Sequence, residues 1–303
     1  MKRRLLFRGT ATALVTPFQP DGRIDGATLE RLVEFQIAHG IEALVPCGST
    51  GESATMTMAE RLSVIESTLS VARKRAPVIA GTGTNDTRTT IELTNRAIEL
   101  GADAVLVVTP YYNKPSQRGL VEHFRALIRE TDARIIIYNV PGRTGVNMLP
   151  QTQLEVAVLS ERIIGTKEAS GDLEQMQAIL RDAPPYFALY SGDDALTLPA
   201  IACGAQGVIS VISNYLPGRF GDGVRAALSG DYQTARAILL ELLPLMQANF
   251  IEPNPIPVKF ILAQMGMIEE VYRLPLVPLQ PQSKQRILQL LEQFGIMHPK
   301  TAD

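Results

Sequence analysis

The chain has 303 residues, of which 46% are hydrophobic and 20% charged, a composition typical of a soluble globular protein with a large core. Its net charge of −2 does not indicate binding to nucleic acid or anionic lipid. No segment approaches the roughly 18 uninterrupted apolar residues of a membrane span. Two cysteines are too few for a disulfide framework, and the apolar run after the basic start is too short for a signal peptide, so we expect a cytoplasmic protein.

The first two-thirds of the chain alternates between predicted strands and helices. Residues 39–48, 100–110 and 203–213 share one pattern, in which a helix ends at a glycine and a continuous apolar run follows. Glycine suits the left-handed position just past a helix end, and a continuous apolar run is typical of a parallel strand covered on both faces. In chain order, the predicted strands are residues 10–17, 42–47, 77–82, 103–109, 134–140, 163–168, 186–191 and 207–212.

Amphipathic segments lie between these strands. One of them, residues 28–40, has Leu29, Leu32 and Val33 at helical spacing. Eight strands that alternate with helices every 25–35 residues or so, at about even spacing, predict a (β/α)8 TIM barrel, with an open doubly wound sheet as the alternative. The strand signal stops after about residue 225, so we predict a catalytic barrel over residues 1–225 and a C-terminal helical domain over residues 226–303.

The ends of the predicted strands are where a barrel of this type carries its reactive groups. GTGTND fails as a dinucleotide-binding loop, because Asp86 occupies the place of its third glycine. GSTG lacks the first glycine of a nucleophile elbow, because Cys47 stands there. The three histidines lie in helical or terminal stretches, which argues against a serine triad or a histidine-ligated metal. We therefore expect neither a metal nor a bound cofactor.

Lys167 is the only one of the seven lysines that falls within a predicted strand, whereas Lys259 lies in a proline-rich stretch. Strand alternation places the small residues Gly165 and Ala169 on the face of Lys167 and sends Glu168 to the opposite face. Burial in a barrel disfavours the ammonium, and the neutral amine is the nucleophile of Schiff-base chemistry. The pattern favours an imine-forming lysine, with structural pairing to a carboxylate as the alternative.

Other strand ends supply groups that an iminium intermediate requires. Hydroxyl groups are available from Ser49, Thr50, Tyr111, Tyr112 and Tyr138. Tyr138 lies near the end of a predicted buried strand, where it can act as a general acid and base beside the amine. Arg143 offers a planar guanidinium suited to a carboxylate. Because the strand ends of a barrel meet at one face, these side chains predict a single site.

Several of these motifs together resemble a known family. GSTGESAT, TPYYNKPSQ, YNVPGRTG, GTKEASGD, SGDD, GVISVISN and EPNPIPVK are similar to motifs of the dihydrodipicolinate synthases, also called 4-hydroxy-tetrahydrodipicolinate synthases. These belong to the pyruvate-dependent Schiff-base lyases, which also include N-acetylneuraminate lyase. The resemblance runs from about Gly9 to about Pro278, and YNVPGRTG with EPNPIPVK is its most specific part.

The resemblance implies a homotetramer, a dimer of dimers, that condenses pyruvate with L-aspartate 4-semialdehyde on the route to diaminopimelate and lysine. Lys167 would form the imine with pyruvate, which requires no separate cofactor. Tyr138, Ser49 and a Tyr112 from the neighbouring subunit would transfer protons. By the same resemblance, the substrates would be bound by Thr50, Arg143, Gly192 and Ile209. Thr50 would hold the pyruvate carboxylate and Arg143 that of the semialdehyde.

Two departures keep other functions open. Ser49 stands where the synthases usually carry threonine, and SGDLEQM after the lysine resembles the neuraminate lyases. Arg143, in contrast, suits a short carboxylated aldehyde better than a polyhydroxylated sugar. The alternative function is therefore a 2-oxo-3-deoxy sugar-acid or N-acetylneuraminate-type lyase. A non-catalytic barrel with a binding or regulatory role is a third possibility, although it would not need to retain both Lys167 and Tyr138.

Lysine-inhibited members of the family bind lysine in a cleft between subunits. The resemblance assigns a possible lysine cleft here to Ser53, Asn85 and Tyr111. Thr89 stands where a glutamate would face the ammonium of the ligand, and Arg61 would repel that ammonium if it pointed inward. We therefore expect L-lysine to inhibit weakly or not at all.

Overall fold

Eight parallel strands form the centre of the molecule in the computed structural model, which describes residues 5–296. They are β1 Gly9–Ala13, β2 Ala43–Val45, β3 Ile79–Gly81, β4 Ala104–Val108, β5 Ile135–Asn139, β6 Ile163–Glu168, β7 Ala188–Ser191 and β8 Gly207–Ser210. Their order in the sheet is β2-β1-β8-β7-β6-β5-β4-β3. A parallel bridge from Leu44 to Val78 joins β2 to the residues before β3 and brings the two edges together. The predicted (β/α)8 TIM barrel is confirmed.

Helices follow the strands and cover the outside of the barrel. They are α1 Gly26–Ala38, α2 Met58–Ala72, α3 Thr87–Glu99, α4 Gln117–Glu130, α5 Pro141–Thr144, α6 Pro150–Leu159, α7 Leu173–Asp182, α8 Thr197–Ala202, α9 Pro217–Ser229, α10 Tyr232–Ala248, α11 Ile256–Gln264 and α12 Pro281–Gln293. Side-chain hydrogen bonds cap the N-termini of several helices. Thr57 and Glu60, for example, form a capping box at α2, and Asp172 caps α7 just after the lysine-bearing strand.

The barrel interior is a packed core rather than a channel. Small and branched side chains fill it, among them Ala11, Val45 and Leu106. The ring of Tyr190 stacks on Phe7 with 4.2 Å between centroids, and its hydroxyl donates to the Phe7 carbonyl oxygen at 3.0 Å. Both faces of the strands are buried, because a second apolar layer lies between strands and helices. This explains why the strand sequences read as continuous apolar runs.

Most observed strands are shorter than the predicted ranges and lie inside them. β2, for instance, covers Ala43–Val45 within the predicted residues 42–47. It ends there because Cys47 adopts φ +58°, a left-handed conformation that no strand accommodates. β1 begins at Gly9, one residue before its predicted range, and β6 matches its predicted range in full.

The C-terminal helices pack directly on the barrel. Barrel residues Val15 and Val208 belong to the same hydrophobic cluster as Leu242, Leu262 and Ile287 from helices α10, α11 and α12. The predicted boundary at residue 225 falls inside α9, which continues until Gly230 adopts φ +88°. The division into two domains stays a prediction, and its outer ends lie outside the described residues. Over residues 5–296, no helix is long and apolar enough to cross a membrane.

Candidate active site

Lys167 and Tyr138 face each other inside the barrel. They are direct partners in the register of β5 and β6, and the Lys167 side chain is only 5% exposed. The Lys167 Nζ lies 4.4 Å from the centroid of the Tyr138 ring. The predicted pair therefore meets, because adjacent parallel strands put residues in register on the same face of the sheet.

Glu168 points away from the lysine, as strand alternation predicts. Its carboxylate accepts hydrogen bonds from Asn139 Nδ2 at 3.1 Å, from Gln153 Nε2 at 2.8 Å and from the Ser170 amide at 2.9 Å. These donors satisfy the carboxylate on the outer face of β6. Among residues 5–296, no ion pair holds Lys167, so the alternative of structural pairing with Glu168 is wrong.

Small residues lie next to the Lys167 side chain. Ala169 packs with the barrel interior, and Gly165 pairs with the interior residue Ile136. A Cβ at Gly192 would lie 2.5 Å from the Ala169 Cβ and 3.1 Å from the Lys167 Cε. A side chain at position 192 would therefore collide with Ala169 and crowd the Lys167 side chain. Gly192, a predicted substrate-binding residue, therefore lies beside Lys167 at a position where only glycine fits.

The loop that carries Ser49 and Thr50 is held from the far end of the chain. Glu52 adopts φ +56° in this loop, and its Oε1 accepts from Lys259 Nζ at 2.6 Å, with both side chains 0% exposed. The Thr50 Oγ1 accepts from Asn254 Nδ2 at 3.0 Å. Segments about 200 residues apart in sequence thus define the conformation of one strand-end loop.

Arg143 reaches the same segment from another strand end. It lies in the short helix α5 after β5, and its Nη2 donates to the Asn254 carbonyl oxygen at 3.0 Å. A cavity of about 270 Å3 lies beside it, lined by Ser49, Arg143, Asn254 and thirteen further residues that include Tyr111 and Thr144. Ser49 also lines a smaller cavity of about 30 Å3 together with Tyr138. Ser49 therefore lines both the outer cavity and the smaller cavity beside Tyr138.

Other predicted site residues are spread more widely. Ile209 is fully buried in the barrel interior, where it pairs with Ala11 of β1. Tyr112 is 87% exposed at φ +72° and does not line the cavity within this one chain. Ser53 and Tyr111 do line the cavity, whereas Asn85 is absent from its lining. The single chain therefore assembles only part of the predicted lysine cleft.

Three residues at the site were missed as site residues by the sequence analysis. Asn254, Glu52 and Lys259 all lie in quoted motifs, but only the folded chain brings them together. The proline-rich stretch that contains Lys259 forms the start of helix α11. Proline is tolerated in the first helical turn, where the backbone amides have no partner in the helix.

Two other ionisable groups near the barrel mouth, the thiol of Cys47 and the carboxylate of Asp194, are buried and belong to the packing of the fold. Burial raises the pKa of the Cys47 thiol to about 12, so it is not a nucleophile at neutral pH. Burial also raises the pKa of Asp194 to about 6. Its Oδ2 accepts from the Val211 and Ile212 amides at 3.1 and 2.8 Å, which holds the segment after β8.

Comparison with known proteins agrees with this geometry. Residues 6–294 match the family described as the Dihydrodipicolinate synthetase family. The chain belongs to this family. It is 48% identical to the 4-hydroxy-tetrahydrodipicolinate synthase of Salinibacter ruber over 290 residues, which cover 95% of this chain and 96% of the relative. It is also 48% identical to the enzyme of the same name from Syntrophus aciditrophicus over 292 residues, or 96% and 100% of the two chains.

Solved structures of the dihydrodipicolinate synthetase family share the whole fold. Dihydrodipicolinate synthase from Aquifex aeolicus superposes with a TM-score of 0.95 at 43% identity, over 97% of this chain and 100% of that chain. The enzyme from Cyanidioschyzon merolae, solved with lysine bound, superposes with a TM-score of 0.94 at 38% identity, over 97% and 100%. The resemblance drawn from the motifs is confirmed.

Proposed function

We propose that this protein condenses pyruvate with L-aspartate 4-semialdehyde to give 4-hydroxy-tetrahydrodipicolinate, in the biosynthesis of diaminopimelate and lysine. It is a class I, Schiff-base lyase of the dihydrodipicolinate synthase type. The observation that carries the proposal is the buried Lys167 in register with Tyr138, in a chain that belongs to this family.

The lysine amine starts the reaction. Lys167 Nζ attacks the carbonyl carbon of pyruvate, and the resulting carbinolamine loses water to give an iminium. Loss of a proton from the methyl carbon gives an enamine, whose carbon attacks the aldehyde of the second substrate. The amino group of that substrate then attacks the iminium carbon, closes the ring and displaces the lysine. Lys167 is buried in the barrel interior and lies beside Tyr138, where the amine can form this imine.

Proton transfers fall to the hydroxyl groups around the lysine. Tyr138 is in van der Waals range of Nζ, and Ser49 lines the small cavity beside Tyr138. Each transfer needs an acid or base within hydrogen-bond reach of the reacting atom. Tyr112 of a neighbouring subunit is the third member of this relay in our proposal. Its 87% exposure in the single chain leaves the side chain free to reach the site of a neighbouring subunit.

Two different groups bind the two substrate carboxylates. The Thr50 hydroxyl accepts a hydrogen bond from Asn254, so its own hydrogen is left to donate to the pyruvate carboxylate. Arg143 lines the outer cavity, where its guanidinium binds the carboxylate of the semialdehyde. Gly192 and Ile209 complete the pyruvate pocket through their backbone. We further propose a cytoplasmic homotetramer that needs no cofactor, since the lysine itself supplies the electrophilic imine.

A comparison of aldehyde substrates tests the function. Purified protein is assayed with pyruvate plus L-aspartate 4-semialdehyde and, in parallel, with pyruvate plus N-acetylmannosamine or glyceraldehyde. We expect turnover with the semialdehyde alone, and loss of that turnover in Lys167→Ala. Ser49 is the observation that favours the sugar-acid alternative, so the Ser49→Thr variant is assayed with the same substrates. Faster turnover of a sugar aldehyde by the unmodified protein would decide for that alternative.

A further inference from the structure

Two buried polar side chains lie directly behind Lys167 and Tyr138. Glu168 ends strand β6 and Asn139 ends strand β5, so each follows one member of the reactive pair in the sequence. They are partners in register, and both side chains are 0% exposed. Because side chains alternate along a strand, they point to the outer face of the barrel. There the Asn139 Nδ2 donates to both carboxylate oxygens of Glu168 at 3.1 Å.

The register that brings Lys167 opposite Tyr138 depends on one extra residue in β6. Near the start of the two strands the pairing with β5 passes over Ile164, as in a β-bulge. Without this shift, Tyr138 would pair with Thr166. A slip of one residue also moves each side chain to the other face of a strand, so Lys167 would leave the barrel interior. The shifted register is therefore required for the two side chains to meet.

Both outer residues are also bonded to segments outside the two strands. The Asn139 Oδ1 accepts from the Met148 amide at 2.9 Å, just before α6. Glu168 accepts from Gln153 of α6 at 2.8 Å and from the Ser170 amide at 2.9 Å. Within the described part of the chain no ion pair holds this carboxylate, so directional hydrogen bonds from neutral amides fix its position.

We propose that Asn139 and Glu168 are positioning residues, which hold β5 and β6 in the register that brings Lys167 opposite Tyr138. Sliding one strand along the other would separate the Asn139 amide from the Glu168 carboxylate, and a buried carboxylate that loses a donor is unfavourable. The register that satisfies the outer face is thus the one that assembles the inner face. This inference rests on the proposed function, in which Tyr138 transfers protons for the imine at Lys167.

Two partial reactions with pyruvate alone separate the reactivity of Lys167 from its alignment with Tyr138. Borohydride trapping reports imine formation at the lysine. Exchange of the pyruvate methyl hydrogens in deuterium oxide, followed by NMR, also needs a proton acceptor in reach, which we assign to Tyr138. We expect Asn139→Ala and Glu168→Gln to be trapped but to exchange at least about tenfold more slowly than the unmodified protein. A misplacement of about 1 Å can cost about 100-fold in rate.

Gln153→Ala is the matched control, because it removes an amide donor to the same carboxylate but no bond between β5 and β6. It should lower the Tm and keep the exchange rate of the unmodified protein. Equal losses of exchange in Gln153→Ala and Asn139→Ala would overturn the proposal, as would normal exchange in both Asn139→Ala and Glu168→Gln. An unmodified protein that borohydride does not trap would overturn the proposed function, and this inference with it.

An exchange of donor and acceptor gives a second test, which serves where Asn139→Ala or Glu168→Gln does not fold. Asn139→Asp places an acceptor against the Glu168 carboxylate, so we expect slow exchange of the methyl hydrogens. Combining Asn139→Asp with Glu168→Gln restores a donor and an acceptor in reversed positions, and part of the lost exchange should return. Absence of any recovery in a folded double variant would contradict the proposal.

Discussion

The side-chain amide of Asn254 donates a hydrogen bond of 3.0 Å to the hydroxyl of Thr50, across 204 positions of sequence. The backbone oxygen of Asn254 also accepts from Arg143 at 3.0 Å. One residue from the segment before α11 thus contacts both residues that we propose as carboxylate ligands. The C-terminal part of the chain therefore contributes to the arrangement of the barrel's catalytic face.

Replacing Asn254 should impair pyruvate binding. In Asn254→Ala the Thr50 hydroxyl loses the donor that orients its hydrogen, and we expect the KM for pyruvate to rise about tenfold, as for the loss of one hydrogen bond. Asn254→Asp is the matched variant, because it keeps the shape and replaces the donor by an acceptor. The KM and kcat are measured with each substrate varied in turn, and a lowered Tm with an unchanged KM for pyruvate would argue against this role.

Breaking the ion pair between Lys259 and Glu52 should destabilise the fold. Lys259→Met leaves the Glu52 carboxylate buried without a counterion, and such losses cost about 3–5 kcal/mol. The double variant Lys259→Met with Glu52→Leu removes both charges and should recover much of this stability. Urea unfolding of the two variants gives the comparison, and equal destabilisation of single and double variants would contradict the role of the pair.

Borohydride should trap pyruvate on Lys167. Reduction of the imine leaves a 1-carboxyethyl group on the Nζ and abolishes turnover, because the amine can no longer be released. Peptide mapping by mass spectrometry locates the adduct. Lys259 is the internal control, because it is also buried but pairs with Glu52. An adduct on Lys259, or none on Lys167, would exclude the proposed mechanism.

Stability should fall at acid pH in part through Glu60. The side chain of Arg273 donates to the Glu60 carboxylate at 2.6 Å and, as the largest cause, lowers its pKa from 4.5 to about 2. The folded state thus binds fewer protons than the unfolded chain between these values. The resulting stability is present above pH 4.5 and is lost as the pH falls toward about 2.

The variant Glu60→Gln isolates this effect. We expect it to be less stable than the unmodified protein at neutral pH, with a difference that shrinks as the pH is lowered through 4.5. Urea unfolding at a series of pH values measures the difference. A difference that stays constant over this range would show that the charge of Glu60 does not matter.

Mixed subunits test the role of Tyr112. If the exposed Tyr112 of one subunit completes the site of its neighbour, Lys167→Ala and Tyr112→Phe chains are each inactive alone, but a hybrid dimer contains one intact site. Mixing them should recover part of the activity after subunit exchange. Native mass spectrometry confirms the exchange, and exchange without recovered activity would place Tyr112 within its own site.

The sequence determined the barrel and the candidate centre around Lys167. Continuous apolar runs end at polar residues every few tens of positions, and each run is recognised from residues that are close together in sequence. Strand β6 and the inward position of Lys167 could therefore be predicted from a few neighbouring residues. The same alternation correctly predicted that Glu168 points to the face of the strand opposite Lys167.

Only the tertiary structure decided what supports that centre. Asn254, Lys259 and Arg61 acquire their roles from partners that lie 20 to 207 positions away in sequence. No local pattern encodes such contacts, because they depend on how α2 and α11 pack against the strand ends. From the sequence alone, Arg61 was expected to repel a bound ammonium only if it pointed inward, and Lys259 was placed only in a proline-rich stretch. Packing buries both cations. Lys259 is paired with Glu52, whereas Arg61 has no carboxylate partner among residues 5–296.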